Sequence, residues 1–210
     1  MSGGAKTIRV LAADDHALLR EGIASLVNDE PDMELVAHAS TGRRAVEQFR
    51  LHQPDITLMD LQMPEMNGLD AITAILGEFP GARIIVLTTY SGDVQVLRAL
   101  KAGARGYLMK DILDKELLGA IRVVHAGRKF ISAEISVELA EHATDEALTP
   151  AEVQVLYLIA EGKANKEIAS RLSTSEATVK GQIHNILAKL DARDRTHAAM
   201  IGLRRGIIRL

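Results

Sequence analysis

The stretch DITLMDLQMPEMNGLDAITAILGEF, residues 55–79, decides how the first part of the chain folds. After Asp55, the run ITLM is mostly apolar and partly β-branched and ends on an acid, Asp60, which reads as a buried strand carrying a charge at its carboxyl end. A loop with Pro64 and Asn67-Gly68 follows, and then LDAITAILGEF, with apolar residues at helical spacing. The same unit recurs outward on both sides. IRVLAA (8–13), ELVAHA (34–39), ARIIVLTT (82–89) and GYLMK (106–110) read as further buried strands. HALLREGIASLVND, GRRAVEQFRLH, DVQVLRALKAG and DKELLGAIRVVHAG read as helices between and after them. Five strands alternating with five helices imply right-handed crossovers and a five-stranded, doubly wound parallel sheet, in which ligands bind at the carboxyl ends of the strands.

The strand pattern stops after Gly127. Residues 128–147 read as a linker, a short helix followed by the polar connector HATDEA, and only helical patterns follow. Thr149-Pro150-Ala151-Glu152 combines a capping box with proline at the first helical position. That helix is expected to end near Gly162. Asn165 is expected to cap a short helix through Leu172, Ser175 a longer one through Leu190, and Asp194 a last one toward Arg204. Two helices joined by a short turn, the second basic, suggest a helix-turn-helix within an all-α, four-helix domain. The expected division is therefore 1–127, 128–147 and 148–210.

Charge follows this division. Residues 148–210 hold ten Lys or Arg and six Asp or Glu, a balance of +4, whereas the preceding 147 residues carry −7. A basic second module suits a polyanionic partner. The absence of cysteine excludes disulfides and thiolate metal sites. No run of eighteen apolar residues suggests a membrane span, and MSGGAKTIRV lacks a signal-peptide apolar region, so a cytoplasmic location is expected.

Asp14 and Asp15 end the first strand and Asp60 the third, so the sheet brings three carboxylates to one edge. Such a cluster is costly without a cation, and an oxygen-only donor set suits Mg²⁺. Lys110 ends the fifth strand and Thr88 lies near the end of the fourth, where an ammonium and a hydroxyl can each bind an oxygen of a phosphoryl group on Asp60. His16, beside the acids, suggests a metal ligand, but it is expected rather to start the first helix and face solvent. Met59, Met63 and Met66 are expected to pack around the site, while Pro64 and Gly68 shape the loop that aims Asp60.

Asp14-Asp15, Asp60-Leu61-Gln62-Met63-Pro64 with Asn67-Gly68, Leu87-Thr88-Thr89 and Gly106-Tyr107-Leu108-Met109-Lys110 together resemble the receiver domain of two-component response regulators, a flavodoxin-like fold, over roughly residues 8–125. The resemblance implies that Asp60 is the phosphoacceptor. Asp14, Asp15, Asp60 and the Gln62 carbonyl would hold Mg²⁺, Lys110 would contact the phosphoryl group, and Thr88 and Tyr107 would form the switch pair. Gln62, Thr89 and Tyr90 would tune the lifetime of the acyl phosphate. Asp111 follows Lys110 where the family often has proline, so no cis peptide is expected there.

Residues 148–208 resemble the DNA-binding domain of the NarL/LuxR family through Leu148-Thr149-Pro150-Ala151-Glu152, Asn165-Lys166-Glu167-Ile168-Ala169, Thr178-Val179-Lys180 and Lys189-Leu190, among others. The recognition helix would be 175–190, lying in the major groove of double-stranded promoter DNA. On it, Lys180 and His184 are expected to reach base edges, and Lys166, Thr178 and Lys189 to contact phosphates. Gln182, where the family usually has histidine, suits phosphate or base. Gly181 makes room for the DNA backbone or removes an apolar base contact. Val179, Ile183, Ile186 and Leu190 are expected to be core. The partners implied are a sensor histidine kinase, promoter DNA and, on phosphorylation, a second copy of the chain, with no membrane and no enzymatic turnover. A regulator that uses its receiver for dimerisation alone is the alternative; the intact acidic pocket and Lys110 argue against it. A phosphohydrolase of the haloacid-dehalogenase type would commonly carry a second aspartate where Gln62 stands.

Overall fold

The structure, a computed structural model, describes residues 7–89, 92–208 and 210. It divides into two units. The described residues up to Thr89, with Val96–Ser136, form the first; Gly92–Gln95 with Val137–Leu210 form the second.

In the first unit, β1 (Ile8–Ala13), β2 (Met33–Ala39), β3 (Ile56–Asp60), β4 (Ile84–Thr88), β5 (Gly106–Met109) and β6 (Phe130–Ile131) make a wholly parallel sheet in the order β2-β1-β3-β4-β5-β6. The chain reverses its direction of travel across the sheet after β2, which places β1 and β3 side by side. The sequence predicts five strands; the sixth is a correction. Phe130 and Ile131 pair with Gly106 and Tyr107 at the sheet's edge. A two-residue strand is too short to show periodicity, and Phe130 and Ile131 lie within the stretch read as linker.

Crossovers are helical: α1 (Ala17–Asn28), α2 (Gly42–His52), α3 (Gly68–Glu78), α4 (Asp93–Ala102) and α5 (Leu113–His125). Central strands are buried on both faces, as parallel strands must be. Val10, Ala12, Ile56, Leu58, Ile85, Leu87 and Leu108 pack with Ile23 and Val27 of α1 and Leu117, Ile121 and Val124 of α5. The alternate residues Leu11, Met59 and Val86 are also fully buried. Thr41 caps α2 by accepting from Arg44 N, and Asn67 caps α3 by accepting from Asp70 N. No cis peptide occurs among the described residues.

The second unit is helical: α6 (Ala133–Glu141, which begins in the first unit), α7 (Pro150–Ala160), α8 (Asn165–Arg171), α9 (Glu176–Lys189) and α10 (Arg195–Arg204). Its core joins Val155, Leu156 and Ile159 of α7, Ile168 of α8, Val179 and Ile186 of α9, and Ala198 and Ile201 of α10, with Ile183 packed at its margin. Thr149 and Glu152 form the reciprocal cap that their spacing predicts, Thr149 Oγ1 accepting from Glu152 N and Glu152 Oε2 from Thr149 N. Ser175 caps α9 and Asp194 caps α10. α8 departs from expectation: Asn165 is its first residue and Ala164 its cap. Ala164 has no side-chain acceptor, so only the Glu167 carboxylate serves there, bonding Ala164 N at 2.8 Å. Among the described residues, no helix is long and apolar enough to cross a membrane.

Candidate functional site

The register of the parallel sheet assembles the pocket. Ala13 pairs with Met59, Asp60 with Leu87, and Thr88 with Met109, so the residues at or just past these positions come together at one edge. Asp14 is fully buried, Asp60 nearly so, and Asp15 is exposed at the rim. Lys110 lies between the two buried carboxylates, its Nζ 2.6 Å from Asp14 Oδ2 and 2.8 Å from Asp60 Oδ2. Gln62 N donates to Asp60 Oδ1 at 3.1 Å. Thr88 is buried one residue before the Lys110 level, and Tyr107 is the largest fully buried side chain, turned inward on β5. Thr89 is exposed beside them, and Tyr90 lies outside the described residues.

The loop after β3 is held against the strand it leaves. Gly68 N donates to Leu61 O, and a Cβ at Gly68 would stand 1.9 Å from the Asp60 carbonyl oxygen. Only glycine allows α3 to begin so close to the acid. Met59 and Met63 are buried around the same turn, Met66 partly so.

Burial pushes the Asp60 carboxyl above the ordinary carboxylate range; hydrogen bonds from Lys110 and Gln62 N oppose this without cancelling it. Burial would lower the Lys110 ammonium, but its hydrogen bonds to Asp14 and Asp60 prevail and hold it above its ordinary value. Three carboxylates and one ammonium leave two negative charges, which a divalent cation balances. The donors are carboxylate oxygens at a half-open rim, the chemistry that Mg²⁺ accepts while keeping part of its water shell. The residues present therefore fit the ion.

Two further residues shape the pocket. Arg20 of α1 donates to the Asp14 carbonyl at 2.6 Å. His16, the cap residue of α1, is exposed as expected, yet its Nδ1 is 2.8 Å from Asp15 Oδ1 and 3.3 Å from Asp14 Oδ1. Its place directly after Asp14-Asp15 was the signal for this.

In the second unit, Lys166, Thr178, Lys180, Gly181 and His184 are exposed, and Gln182 is partly buried. Thr178 Oγ1 is 2.9 Å from Ser175 Oγ, beside the cap of α9. A Cβ at Gly181 would meet nothing within 4 Å, so the core does not require glycine there. Lys189, expected at a phosphate, is paired with two carboxylates of its own unit. Its side chain is largely buried, with Nζ 3.1 Å from Glu152 Oε2 and 2.9 Å from Glu146 Oε1. Glu152 is thereby held below the ordinary glutamate range: burial works against its anion, but hydrogen bonds from Thr149 N and Lys189 outweigh it. Arg195, at the start of α10, donates to the Lys163 carbonyl at 2.6 Å and so fixes the turn before α8.

Comparison with known proteins agrees with this construction at both ends of the chain. Residues 10–122 match the response regulator receiver domain, and residues 146–201 the bacterial regulatory proteins of the luxR family. The chain is 40% identical over 206 residues to the transcriptional regulatory protein YhcZ of Bacillus subtilis, covering 94% of this chain and 96% of that one. It is 35% identical over 207 residues to the response regulator protein VraR of Staphylococcus aureus, covering 96% and 99%. Among solved structures it resembles RcsB of Salmonella enterica serovar Typhimurium bound to promoter P1flhDC in the presence of BeF₃⁻, at 26% identity and a TM-score of 0.75, covering 96% of this chain and 100% of that one. An acidic strand-end pocket in one unit and a helix-turn-helix in the other, matched along nearly the whole chain, place this protein among the LuxR/NarL-type response regulators, the DNA-binding transcriptional regulators of two-component systems.

Proposed function

We propose that a sensor histidine kinase, or a small phosphodonor, phosphorylates Asp60 of this regulator and that the modification switches its dimerisation and promoter binding. The observation that carries this reading is the position of Lys110 Nζ, within 2.8 Å of Asp60 Oδ2 and 2.6 Å of Asp14 Oδ2 at the strand ends. Asp60, rather than the equally buried Asp14, is the acceptor because Asp60-Leu61-Gln62-Met63-Pro64 with Asn67-Gly68 is the stretch that resembles the receiver's phosphoacceptor loop, and Lys110 stands beside its carboxylate. Asp14, Asp15, Asp60 and the Gln62 carbonyl would hold Mg²⁺, which when bound supplies charge neutralisation for phosphoryl oxygens. Lys110 steadies the phosphoryl group from the opposite side. Thr88 and Tyr107, on adjacent strands, carry the change outward from the pocket. On α9 and beside it, Lys180 and His184 read base edges, Gln182 base or phosphate, and Lys166 and Thr178 phosphates, with Gly181 admitting the backbone. Lys189 acts at one remove, by fastening the end of α9. The reading places the regulator in the cytoplasm, without turnover of its own.

Acetyl phosphate treatment followed by mass spectrometry, alongside selection of genomic fragments with and without beryllofluoride, tests this. A single phosphoryl group at position 60, lost in Asp60→Asn, is expected, together with tighter binding of a discrete fragment set in beryllofluoride. Modification elsewhere overturns the assignment of Asp60. Equal fragment binding with and without beryllofluoride favours the receiver as a dimerisation module alone.

A further inference from the structure

Asp14, Asp15, His16 and Asp60 each offer a ligand atom, and the four atoms all lie within 4.8 Å of one another. Ligands bonded to one ion at about 2.1 Å stand no more than about 4.2 Å apart. A small side-chain rotation at the exposed end of the cluster closes that difference, and His16 sits at that end. Its side chain is 70% exposed, so it turns without disturbing the core.

His16 is well placed for this. It precedes α1 as the cap residue but makes no side-chain capping bond, so the imidazole is not committed to the helix. Its backbone N–H donates to Asp14 Oδ1 at 2.9 Å, which fixes the residue over the pocket. The two oxygens of Asp14 are divided between neighbours: Oδ2 faces Lys110, and Oδ1 faces His16. The His16 ring therefore lies on the side of Asp14 that the ammonium leaves to a metal ion.

We infer that His16 is a further protein ligand of the divalent site, one that engages first-row transition ions such as Co²⁺ and Zn²⁺ and leaves Mg²⁺ to the oxygen donors. Mg²⁺ prefers oxygen ligands and parts reluctantly with water, so imidazole adds little to its binding. Zn²⁺ and Co²⁺ accept imidazole readily, and for them Nδ1 replaces a water. The pocket thus has two donor sets, three carboxylates for a hard ion and the same carboxylates with a nitrogen for a softer one. This inference rests on the reading of the strand-end pocket as a divalent site.

The test is calorimetric titration of the chelator-stripped full chain with Mg²⁺ and, separately, Co²⁺, in wild type, His16→Ala and His16→Ser. Serine is a favoured cap residue, so the second variant keeps α1 intact. Both variants are expected to bind Co²⁺ at least about 10-fold more weakly, by analogy with the loss seen when groups around a metal site are removed, with Mg²⁺ affinity unchanged. Contributions from the other histidines are common to all three chains. In Zn²⁺-loaded protein, nitrogen NMR should show one ring Nδ1 signal shifted by coordination in wild type and missing in His16→Ser. Unchanged Co²⁺ affinity, or an equal loss for both metals, overturns the role of His16. Failure of wild type to bind Mg²⁺ overturns the pocket reading beneath it.

Discussion

At the strand ends of the receiver, each buried charged group is held from more than one side; along the exposed face of α9, the polar side chains reach into solvent. Lys110 meets two carboxylates, and Asp60 accepts from both Lys110 and Gln62 N. The side chains of Lys180 and His184, by contrast, make no hydrogen bond or ion pair among the described residues and stand exposed. The difference teaches where preorganisation is needed. A phosphoryl group in transfer rewards groups already in place, because reorientation during the reaction would cost rate. A DNA groove orders flexible side chains as they dock. Changes in the pocket should therefore disturb chemistry and stability together, while changes on α9 should act on binding alone.

The largest expected effect tests the first half of that contrast. Lys110→Met keeps the stem and removes the charge, leaving Asp14 and Asp60 facing each other. Phosphoryl uptake from acetyl phosphate, followed by mass spectrometry, should slow on the order of 10²-fold. An unchanged rate would mean that the two-sided hold on Asp60 is irrelevant to its chemistry. Gly68→Ala should come next. Its Cβ would strike the Asp60 backbone, which cannot give way as a flexible side chain can. Denaturant unfolding of the receiver should show a loss of roughly 1–3 kcal/mol, with phosphorylation slowed in parallel. Loss of stability without loss of phosphorylation would separate two properties that the contrast joins.

In the DNA-binding unit, Glu152 sharpens the comparison, because it is a buried carboxylate held by both Thr149 N and Lys189 Nζ. Its folded pKa lies below the ordinary 4.5. A carboxyl of that kind contributes stability that is complete above the unfolded value and is lost as pH falls through the folded one. Glu152→Gln should therefore destabilise α7 and α9 near neutral pH and flatten the acid limb of their unfolding, measured by amide exchange between pH 6 and about 3. An acid limb identical to wild type would show that the pairing with Lys189 and Thr149 is energetically idle. The smallest effect belongs to Gly181→Ala, which should stabilise α9 by about 0.5–1 kcal/mol, since a Cβ there meets open space. If DNA affinity falls while stability rises, the exposed face is reserved for a close backbone approach. If both rise, Gly181 serves no contact.

Much of this is legible in the sequence. Parallel strands are short, apolar and end abruptly, so Asp14, Asp60, Thr88 and Lys110 announce themselves as strand-end residues, and the topology alone brings them together. The caps at Thr149, Ser175 and Asp194 were equally readable because their bonds close within three residues. Illegible features were those that depend on distant partners or on very short elements. β6 offers two residues and no pattern. The start of α8 slipped by one position because Glu167 substitutes for a side-chain cap at Ala164. Lys189 reads as a cation on a basic helix, and nothing local reveals that Glu152, 37 residues earlier, takes its ammonium. His16 is legible in part: its place beside the acids suggests a ligand, while its place before a helix suggests solvent, and sequence spacing does not decide between them.

The clamp on Lys189 has a consequence for how tightly this helix responds to ionic strength. If those ion pairs persist on DNA, a lysine already neutralised by carboxylates would bring no free positive charge to the duplex and displace no condensed counterions when the complex forms. The cations that do so are those standing free in solvent. The slope of affinity against salt then counts fewer ions than a simple tally of basic residues on the helix suggests. Glu152, buried against that amine, and Glu146, which stands just before α7 and meets it from the solvent side, would together set the tally.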